Sequence, residues 1–158
     1  MAEPAAPGVV VNNILYFVAN NSANGPEPWR TDGTPGGTYL LKDIATGAGG
    51  TPTASGIERF APYRNQVLFV AYSPAQGREM WRSDGSVAET VLLRDIFPGQ
   101  FGSEPLLPLR DVPYATGEFL YFAADNGALG SELWRTDGTT AGTSLVKDIN
   151  TRGSAASR

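Results

Sequence analysis

The sequence contains no histidine and no cysteine among its 158 residues. The absence of cysteine excludes disulfides and thiol nucleophiles. The absence of histidine excludes Ser-His-Asp triads and, with cysteine also missing, nearly all zinc, iron and copper sites. Catalysis would have to depend on carboxylates, hydroxyls or lysine. We therefore expect a protein that is not an enzyme and that uses no cofactor.

Basic charge and long apolar runs are also scarce. Twelve Lys and Arg against sixteen Asp and Glu give a net charge of −4, without the concentrated basic face that a nucleic-acid partner requires. No stretch approaches the ~20 consecutive apolar residues of a membrane-spanning helix. The chain is instead rich in turn formers, with 19 glycines and 12 prolines. This composition predicts many tight turns and few long helices.

One motif occurs three times, and the repetition determines the expected architecture. The copies are Glu-Pro-Trp-Arg-Thr-Asp-Gly-Thr over 27–34, Glu-Met-Trp-Arg-Ser-Asp-Gly-Ser over 79–86 and Glu-Leu-Trp-Arg-Thr-Asp-Gly-Thr over 132–139. An apolar, aromatic run precedes each copy, and a Leu-Leu/Val-Lys/Arg-Asp-Ile run follows it at fixed distance. Such constant spacing of three blocks indicates one structural unit used three times.

Each repeat is predicted to form four short antiparallel strands. The aromatic run has the composition of a buried strand, the Glu-x-Trp-Arg run alternates, and Asp-Gly provides the turn to the next strand. A fourth, weaker strand is predicted at about 53–61 and 106–112, with a shortened counterpart at 9–11 in the first repeat.

The expected fold class is therefore all-β, a β-propeller of three four-stranded blades, because a repeat of roughly 40–50 residues with four strands is typical of a propeller blade. The blades are predicted at about 3–51, 52–103 and 104–152, followed by a loosely ordered tail at 153–158. Apolar strand residues are expected to form the core between blades; they are Leu15, Phe17, Leu68, Val70, Leu120 and Phe122.

The motif resembles the ELWxxDGT repeat of large bacterial surface and secreted proteins. The third copy matches best, with Gly142-Thr143 in place; the second departs most, with Ser86 and Glu89-Thr90 at the corresponding positions. The resemblance covers nearly the whole chain. It implies a propeller-like fold and a location outside the bacterial cell or on its surface, but it brings no defined activity.

Three blades are too few to close a ring, since propellers typically have 4–8. Glu3-Pro4 matches Glu104-Pro105, and Gly153-Ser154 matches Gly102-Ser103, so the chain begins and ends at the same point of the repeat. We expect two copies to associate head to tail into a six-bladed homodimer; the alternative is that the chain is a fragment of a longer array of blades.

The motif side chains have two interpretations. In the first, tryptophans are sugar-stacking platforms with polar partners, as in a lectin with one site per blade; in the second, they pack between blades, and the structural interpretation is favoured. The residues concerned are Trp29, Arg30, Glu27, Trp81, Arg82, Glu79, Trp134, Arg135 and Glu132.

The motif aspartates Asp32, Asp84 and Asp137 could contribute to calcium sites, but an aspartate that caps its own turn explains them without an ion. We therefore expect no metal. The Lys/Arg-Asp pairs that follow (Lys42-Asp43, Arg94-Asp95 and Lys147-Asp148) point to opposite faces of a strand. Cross-strand pairing of these residues with the Glu or Arg of the Trp strand is expected.

Carboxylates outside the repeated positions are the only candidates for hydrolysis; they are Glu58, Glu104, Asp111 and Glu118. The sequence thus leads to a binding or scaffold module as the first hypothesis, with a possible glycan or protein ligand. A lectin is the alternative, and a glycoside hydrolase that uses Glu104 and Asp111 is less favoured.

Overall fold

The computed structural model describes residues 7–47, 54–107, 115–116 and 118–151, with residues 115 and 116 described by their backbone alone. The matching dipeptides at 3–4 and 153–154, the expected tail and Asp111 lie outside the described residues.

The described chain forms three antiparallel sheets of four strands each, and no helix occurs in it. Sheet 1 consists of β1 (Val9–Val11), β2 (Ile14–Asn20), β3 (Pro26–Thr31) and β4 (Tyr39–Leu40). Sheet 2 consists of β5 (Phe60–Tyr63), β6 (Gln66–Ser73), β7 (Gly77–Ser83) and β8 (Val91–Arg94). Sheet 3 consists of β9 (Ala115–Thr116), β10 (Phe119–Asp125), β11 (Ser131–Thr136) and β12 (Ser144–Lys147). The all-β class is confirmed, and each repeat forms one sheet.

The predicted placement of the weaker strand was wrong in the second and third repeats. In the second, residues 54–59 form no strand beside β6 and share only one backbone hydrogen bond with it. Ser55 N–H donates to the Pro26 carbonyl of sheet 1 at 3.2 Å, and the Ser55 carbonyl accepts from Tyr72 N–H of sheet 2 at 2.7 Å. The segment therefore links two sheets, and the strand begins only at Phe60. In the third repeat, Leu106 forms an isolated bridge with Ala123 and the strand lies at 115–116; residues 108–112 lie outside the described residues.

Strand register repeats from sheet to sheet and places an aromatic pair at the same position in each. The second strand contributes a phenylalanine and the third a tryptophan, and the pairs are Phe17–Trp29, Phe69–Trp81 and Phe122–Trp134. Because alternate residues of a strand point to opposite faces, each sheet has one face with its motif tryptophan, here called the leading face, and an opposite trailing face.

The trailing face of sheet 1 packs against the leading face of sheet 2. Tyr16, Leu41 and Ile44 contribute from sheet 1, and Phe69 and Trp81 from sheet 2, all of them buried in one cluster. The Phe60 ring lies between, with its centroid 6.3 Å from that of Tyr16 and 5.3 Å from that of Phe69.

The trailing face of sheet 2 packs in the same manner against the leading face of sheet 3. This cluster contains four of the six predicted core residues, Leu68, Val70, Leu120 and Phe122, which confirms them. The other two, Leu15 and Phe17, are only half-buried. They lie on the leading face of sheet 1, which no other described sheet covers.

Replacement of Trp81 by alanine is expected to lower the free energy of unfolding by about 3–5 kcal/mol, because it removes a buried aromatic from the seam between sheets 1 and 2. Trp81 is 6% exposed. Urea denaturation of the Trp81→Ala variant measures the change. Val87→Ala, at a position 58% exposed in the same repeat, is the control and should unfold like the parent. An unaltered midpoint for Trp81→Ala would contradict the seam assignment.

Candidate functional site

The glutamate that begins each motif is buried and holds the loop after the fourth strand. The Glu27 carboxylate accepts backbone hydrogen bonds from Ile44 at 3.2 Å and Ala45 at 2.9 Å. The Glu132 carboxylate does the same for Ile149 at 2.9 Å and Asn150 at 3.1 Å. In both sheets the carboxylate therefore fixes the chain as it leaves the sheet.

Glu79 anchors a longer loop in the same way. Its carboxylate accepts from the backbone N–H of Phe97 at 3.0 Å and of Ser103 at 2.9 Å, and from the Ser103 hydroxyl at 2.5 Å. Burial raises the pKa of Glu79, and also that of Glu27, and the hydrogen bonds offset part of this effect. Sequence reasoning considered these glutamates as polar partners of a sugar site or, preferably, as structural residues, and it did not predict their anchoring role.

The motif tryptophans differ in exposure according to their sheet. Trp81 and Trp134 are each 6% exposed and lie in the two seams between sheets, whereas Trp29 is half-buried on the uncovered face of sheet 1. The Nε1 atoms of all three are buried without a hydrogen-bond partner. Neither Trp81 nor Trp134 therefore offers an open ring face for stacking.

The three motif arginines have different partners. Arg30 Nη2 lies 3.3 Å from Asp32 Oδ2, and its guanidinium stacks 5.0 Å from the Tyr39 ring centroid. Arg82 instead pairs with Glu89 at 3.0 Å. Arg135 is exposed and lies over the Phe119 ring, 4.4 Å from its centroid. The arginines thus do not form three copies of one site.

The motif aspartates cap their own turns. Asp32 Oδ1 accepts from the Thr34 N–H at 3.0 Å and from the Thr34 hydroxyl at 2.6 Å. Asp84 and Asp137 do the same in their sheets at 2.6–2.9 Å. The side-chain hydrogen bond from Thr34 is the main reason that the pKa of Asp32 is lowered. Among the described residues, no three or more acidic side chains converge as a metal site would require.

The basic residues at the end of the fourth strand, or in sheet 1 just after it, do not pair as expected. Arg94 Nη1 donates to the Thr143 carbonyl of sheet 3, so it spans a seam instead of pairing within its sheet. No ion pair of Lys42 or Lys147 occurs in the described part of the chain. The neighbouring aspartates each keep one buried carboxylate oxygen without a partner, and these are Asp43, Asp95 and Asp148.

The carboxylates outside the repeated positions do not form an acid–base pair in the described chain. Glu104 Oε2 lies 3.2 Å from Arg78 Nε, and Glu58 Oε1 lies 3.7 Å from Arg78 Nη2. Glu118 is exposed, and its carbonyl accepts a hydrogen bond from Arg64 at 3.0 Å. The proposed partner of Glu104, Asp111, lies outside the described residues.

The Asp-Gly turn of each later sheet docks on the sheet before it, a feature that sequence reasoning missed. The Gly85 carbonyl accepts from Tyr39 Oη of sheet 1 at 2.9 Å, and the Gly138 carbonyl accepts from Gln66 Nε2 of sheet 2 at 3.2 Å. A Cβ at Gly85 would lie 2.9 Å from Tyr16 Oη. The close approach of this turn to sheet 1 therefore requires a glycine at position 85. The positive φ of 95° at this residue also favours glycine.

The leading face of sheet 1 is open although its residues match those buried in the later sheets. Thr31 is half-buried and Thr38 is exposed, and their hydroxyl oxygens lie 2.6 Å apart. Their counterparts in sheets 2 and 3 are completely buried; they are Ser83, Thr90, Thr136 and Thr143. Gly33 is likewise exposed where Gly85 and Gly138 are buried.

The trailing face of sheet 3 is open in the same sense. Ile149 is 66% exposed, whereas its counterparts Ile44 and Ile96 are 4% and 6% exposed. Leu133 is 36% exposed, and its sheet 2 counterpart Met80 is completely buried. The signal for both open faces was present in the sequence, because the equivalent positions can be aligned by the repeat.

Comparisons with known proteins found no matching family model, no matching curated protein and no matching solved structure. The described chain also has no helix with the length and hydropathy needed to cross a membrane.

Substitution of Gly37 tests the motif turn. A Cβ at Gly37 would lie 1.9 Å from Asp32 Oδ1, whereas one at neighbouring Gly36 would meet nothing within 4 Å. Gly37→Ala must displace the Asp32 carboxylate from its place in the turn, and we expect a lower midpoint of thermal unfolding than for the parent. Gly37→Glu should lose less, because the new carboxylate can pair with Arg30 as Glu89 does with Arg82.

Gly36→Ala is the matched control in this series and should leave thermal unfolding unchanged or slightly raise the midpoint. Equal losses for Gly36→Ala and Gly37→Ala would show that the Asp32 turn does not depend on the space that Gly37 leaves.

The raised pKa of Glu79 predicts a pH dependence of stability. A folded-state pKa above the ordinary value of 4.5 means that the native state binds the proton more tightly. The contribution of this group is therefore fully present below the unfolded pKa and is lost as the pH rises through the folded pKa. The Glu79→Gln variant lacks the titrating carboxyl and therefore its pH-dependent contribution to stability. The stability of the parent relative to the variant should decline as the pH rises above the ordinary pKa of 4.5.

Chemical denaturation at several pH values measures this difference. Glu58→Gln, which alters a mostly exposed carboxylate, is the control and should show a much smaller change with pH. A parent-to-variant difference that grows with pH would reverse the sign and contradict the burial of the Glu79 charge.

Proposed function

We propose that the protein is a non-enzymatic β-propeller module that serves as a binding or scaffold unit and assembles through its blades. One observation carries the proposal: equivalent positions are buried between sheets but open at both ends of the described array. Ile44, Ile96 and Ile149 are the clearest example, with 4%, 6% and 66% exposure. An apolar face of this kind typically marks an interaction site.

The use of the motif residues supports a scaffold over an enzyme. The glutamates anchor loops, two of the tryptophans fill seams, and the aspartates cap turns. Each of these roles recurs from sheet to sheet. A catalytic centre usually departs from repeat symmetry at one place, and the motif residues follow the symmetry.

Two copies joined head to tail would give six blades, which lies within the usual propeller range. The described chain leaves one open leading face, on sheet 1, and one open trailing face, on sheet 3. Such unlike but complementary faces are what a heterologous contact uses, and it closes when the rotation per subunit permits a ring. Each new seam would have the composition of the two seams already present in the chain.

The burial of Trp81 and Trp134 favours the scaffold over a lectin with one sugar site per blade. A glycan array separates the two functions, since binding of one glycan class that is abolished by Trp81→Phe at unchanged stability would support the lectin. The resemblance to the ELWxxDGT repeat is the basis for proposing a bacterial extracellular or cell-surface location.

We expect light scattering to give a mass near twice 16.7 kDa, and we expect this mass to persist on dilution. Two apolar seams would have to open at once for the dimer to dissociate, so dissociation should accompany unfolding. Ile149→Lys should shift the mass toward the monomer, because it places a charge in the proposed seam.

Val87→Lys is the control, since Val87 is 58% exposed and belongs to the turn of sheet 2, the sheet that carries neither open face; it should leave the mass unchanged. A stable monomer of the parent protein would refute the ring. A mass of three chains would keep the stacking mode and change the number of blades.

A further inference from the structure

In the seam between sheets 1 and 2, the Asp-Gly turn of sheet 2 docks on sheet 1. Gly85 of the sheet 2 turn lies against Tyr16, and its carbonyl accepts from Tyr39 Oη at 2.9 Å and from Arg30 Nη1 at 3.5 Å. The Arg30 side chain is only 12% exposed and stacks on Tyr39. A tyrosine, an arginine and an aromatic ring under the arginine therefore form the receiving site for a glycine turn.

Sheet 3 carries the tyrosine and the arginine at equivalent strand positions, and no turn of the described chain occupies them. Tyr121 corresponds to Tyr16 and Arg135 to Arg30, as their register partners show. Ser144 stands where sheet 1 has Tyr39, and the ring near the arginine comes instead from Phe119, 4.4 Å from the Arg135 guanidinium. Arg135 is exposed and Tyr121 half-buried. Sheet 2 differs, since it has Leu68 at the position of Tyr16. The turn of sheet 3 docks on it through a hydrogen bond from Gln66 to the Gly138 carbonyl.

The complementary element is the turn of sheet 1. Gly33 is exposed, has a positive φ of 92°, and a Cβ on it would meet nothing within 4 Å. Its carbonyl receives no hydrogen bond in the described part of the chain, whereas the carbonyls of Gly85 and Gly138 each receive at least one from the preceding sheet. The turn thus has the conformation of a docked turn without a sheet to dock on.

We propose that the Asp32-Gly33-Thr34 turn of one copy docks on Tyr121 and Arg135 of a second copy, where Arg135 donates to the Gly33 carbonyl. The proposal rests on the head-to-tail assembly above and names its contact. Charge favours the same pairing, because the Asp32 carboxylate of the turn approaches the Arg135 cation. Continuity with the seams between sheets argues for a second copy as the occupant.

Arg135→Ala tests the donor. We expect the dissociation constant of self-association, measured by analytical ultracentrifugation over a dilution series, to rise about tenfold or more, as for loss of a hydrogen bond from a charged group. The matched control is Arg82→Ala, which removes an arginine at the same strand position from a pair with Glu89. It should leave the dissociation constant within about twofold of the parent.

Cross-linking tests the location of the contact, and the absence of native cysteine makes it specific. Thr34→Cys and Ser144→Cys place thiols on the turn and at the position that Tyr39 occupies in sheet 1. A short bismaleimide should convert this double variant to a covalent dimer. The control pairs Thr34→Cys with Ser131→Cys, an exposed residue at the opposite end of β11, and should remain uncross-linked.

The outcomes separate this contact from the assembly itself. A parent protein that is monomeric overturns the ring and the contact together. A dimeric parent whose association is unchanged by Arg135→Ala, or which cross-links through Ser131 and not Ser144, overturns the contact and leaves the assembly intact. Weaker association of Arg135→Ala with cross-linking through Ser144 alone supports both.

Discussion

Each sheet of this protein is apolar on both faces, and the rest of the structure depends on that constraint. In β6, Val67, Phe69 and Ala71 face sheet 1, while Leu68 and Val70 face sheet 3, and all five are buried. A single four-stranded sheet of this kind cannot bury both faces alone. Neighbouring sheets must supply the cover, since burial of each large apolar side chain contributes roughly 1.5–3 kcal/mol. Stacking is therefore part of folding here, and sheets 1 and 3 each carry the same requirement on a face that no other described sheet covers.

The motif makes such stacking repeatable by fixing the two ends of each sheet. The buried glutamate binds the backbone of the departing loop, and the aspartate closes the turn between the third and fourth strands. With both fixed, the turn glycine reaches the preceding sheet at a constant position. This explains the position of glycine in the motif: Gly85 and Gly138 sit where a side chain would collide with Tyr16 and Gln66 respectively.

Much of the fold could be predicted from the sequence, because the spacing of the three motif copies and their alternation are local properties of the chain. The strands around Phe17, Phe69 and Phe122, and the third strands with tryptophan, follow from these two signals. The weaker strand could not be placed, since residues 54–59 make their hydrogen bonds to two different sheets. The function of the motif carboxylates was also hidden. Whether a glutamate meets a ligand or a backbone N–H depends on the loop that folds over it, and no periodicity specifies that loop.

The repeat in the sequence aligns the equivalent positions, but the difference in their exposure comes only from the structure. Isoleucine at 44, 96 and 149 looks the same in the sequence, yet its environment changes from buried to exposed along the array. Residue type at this position therefore follows the repeat and does not change with the exposure of the side chain. The same argument applies to Arg135 and Tyr121, whose types match a receiving site that is occupied elsewhere in the chain. Where a repeat reproduces a binding surface, the occupied copy defines the chemistry of the ligand that fits the open one.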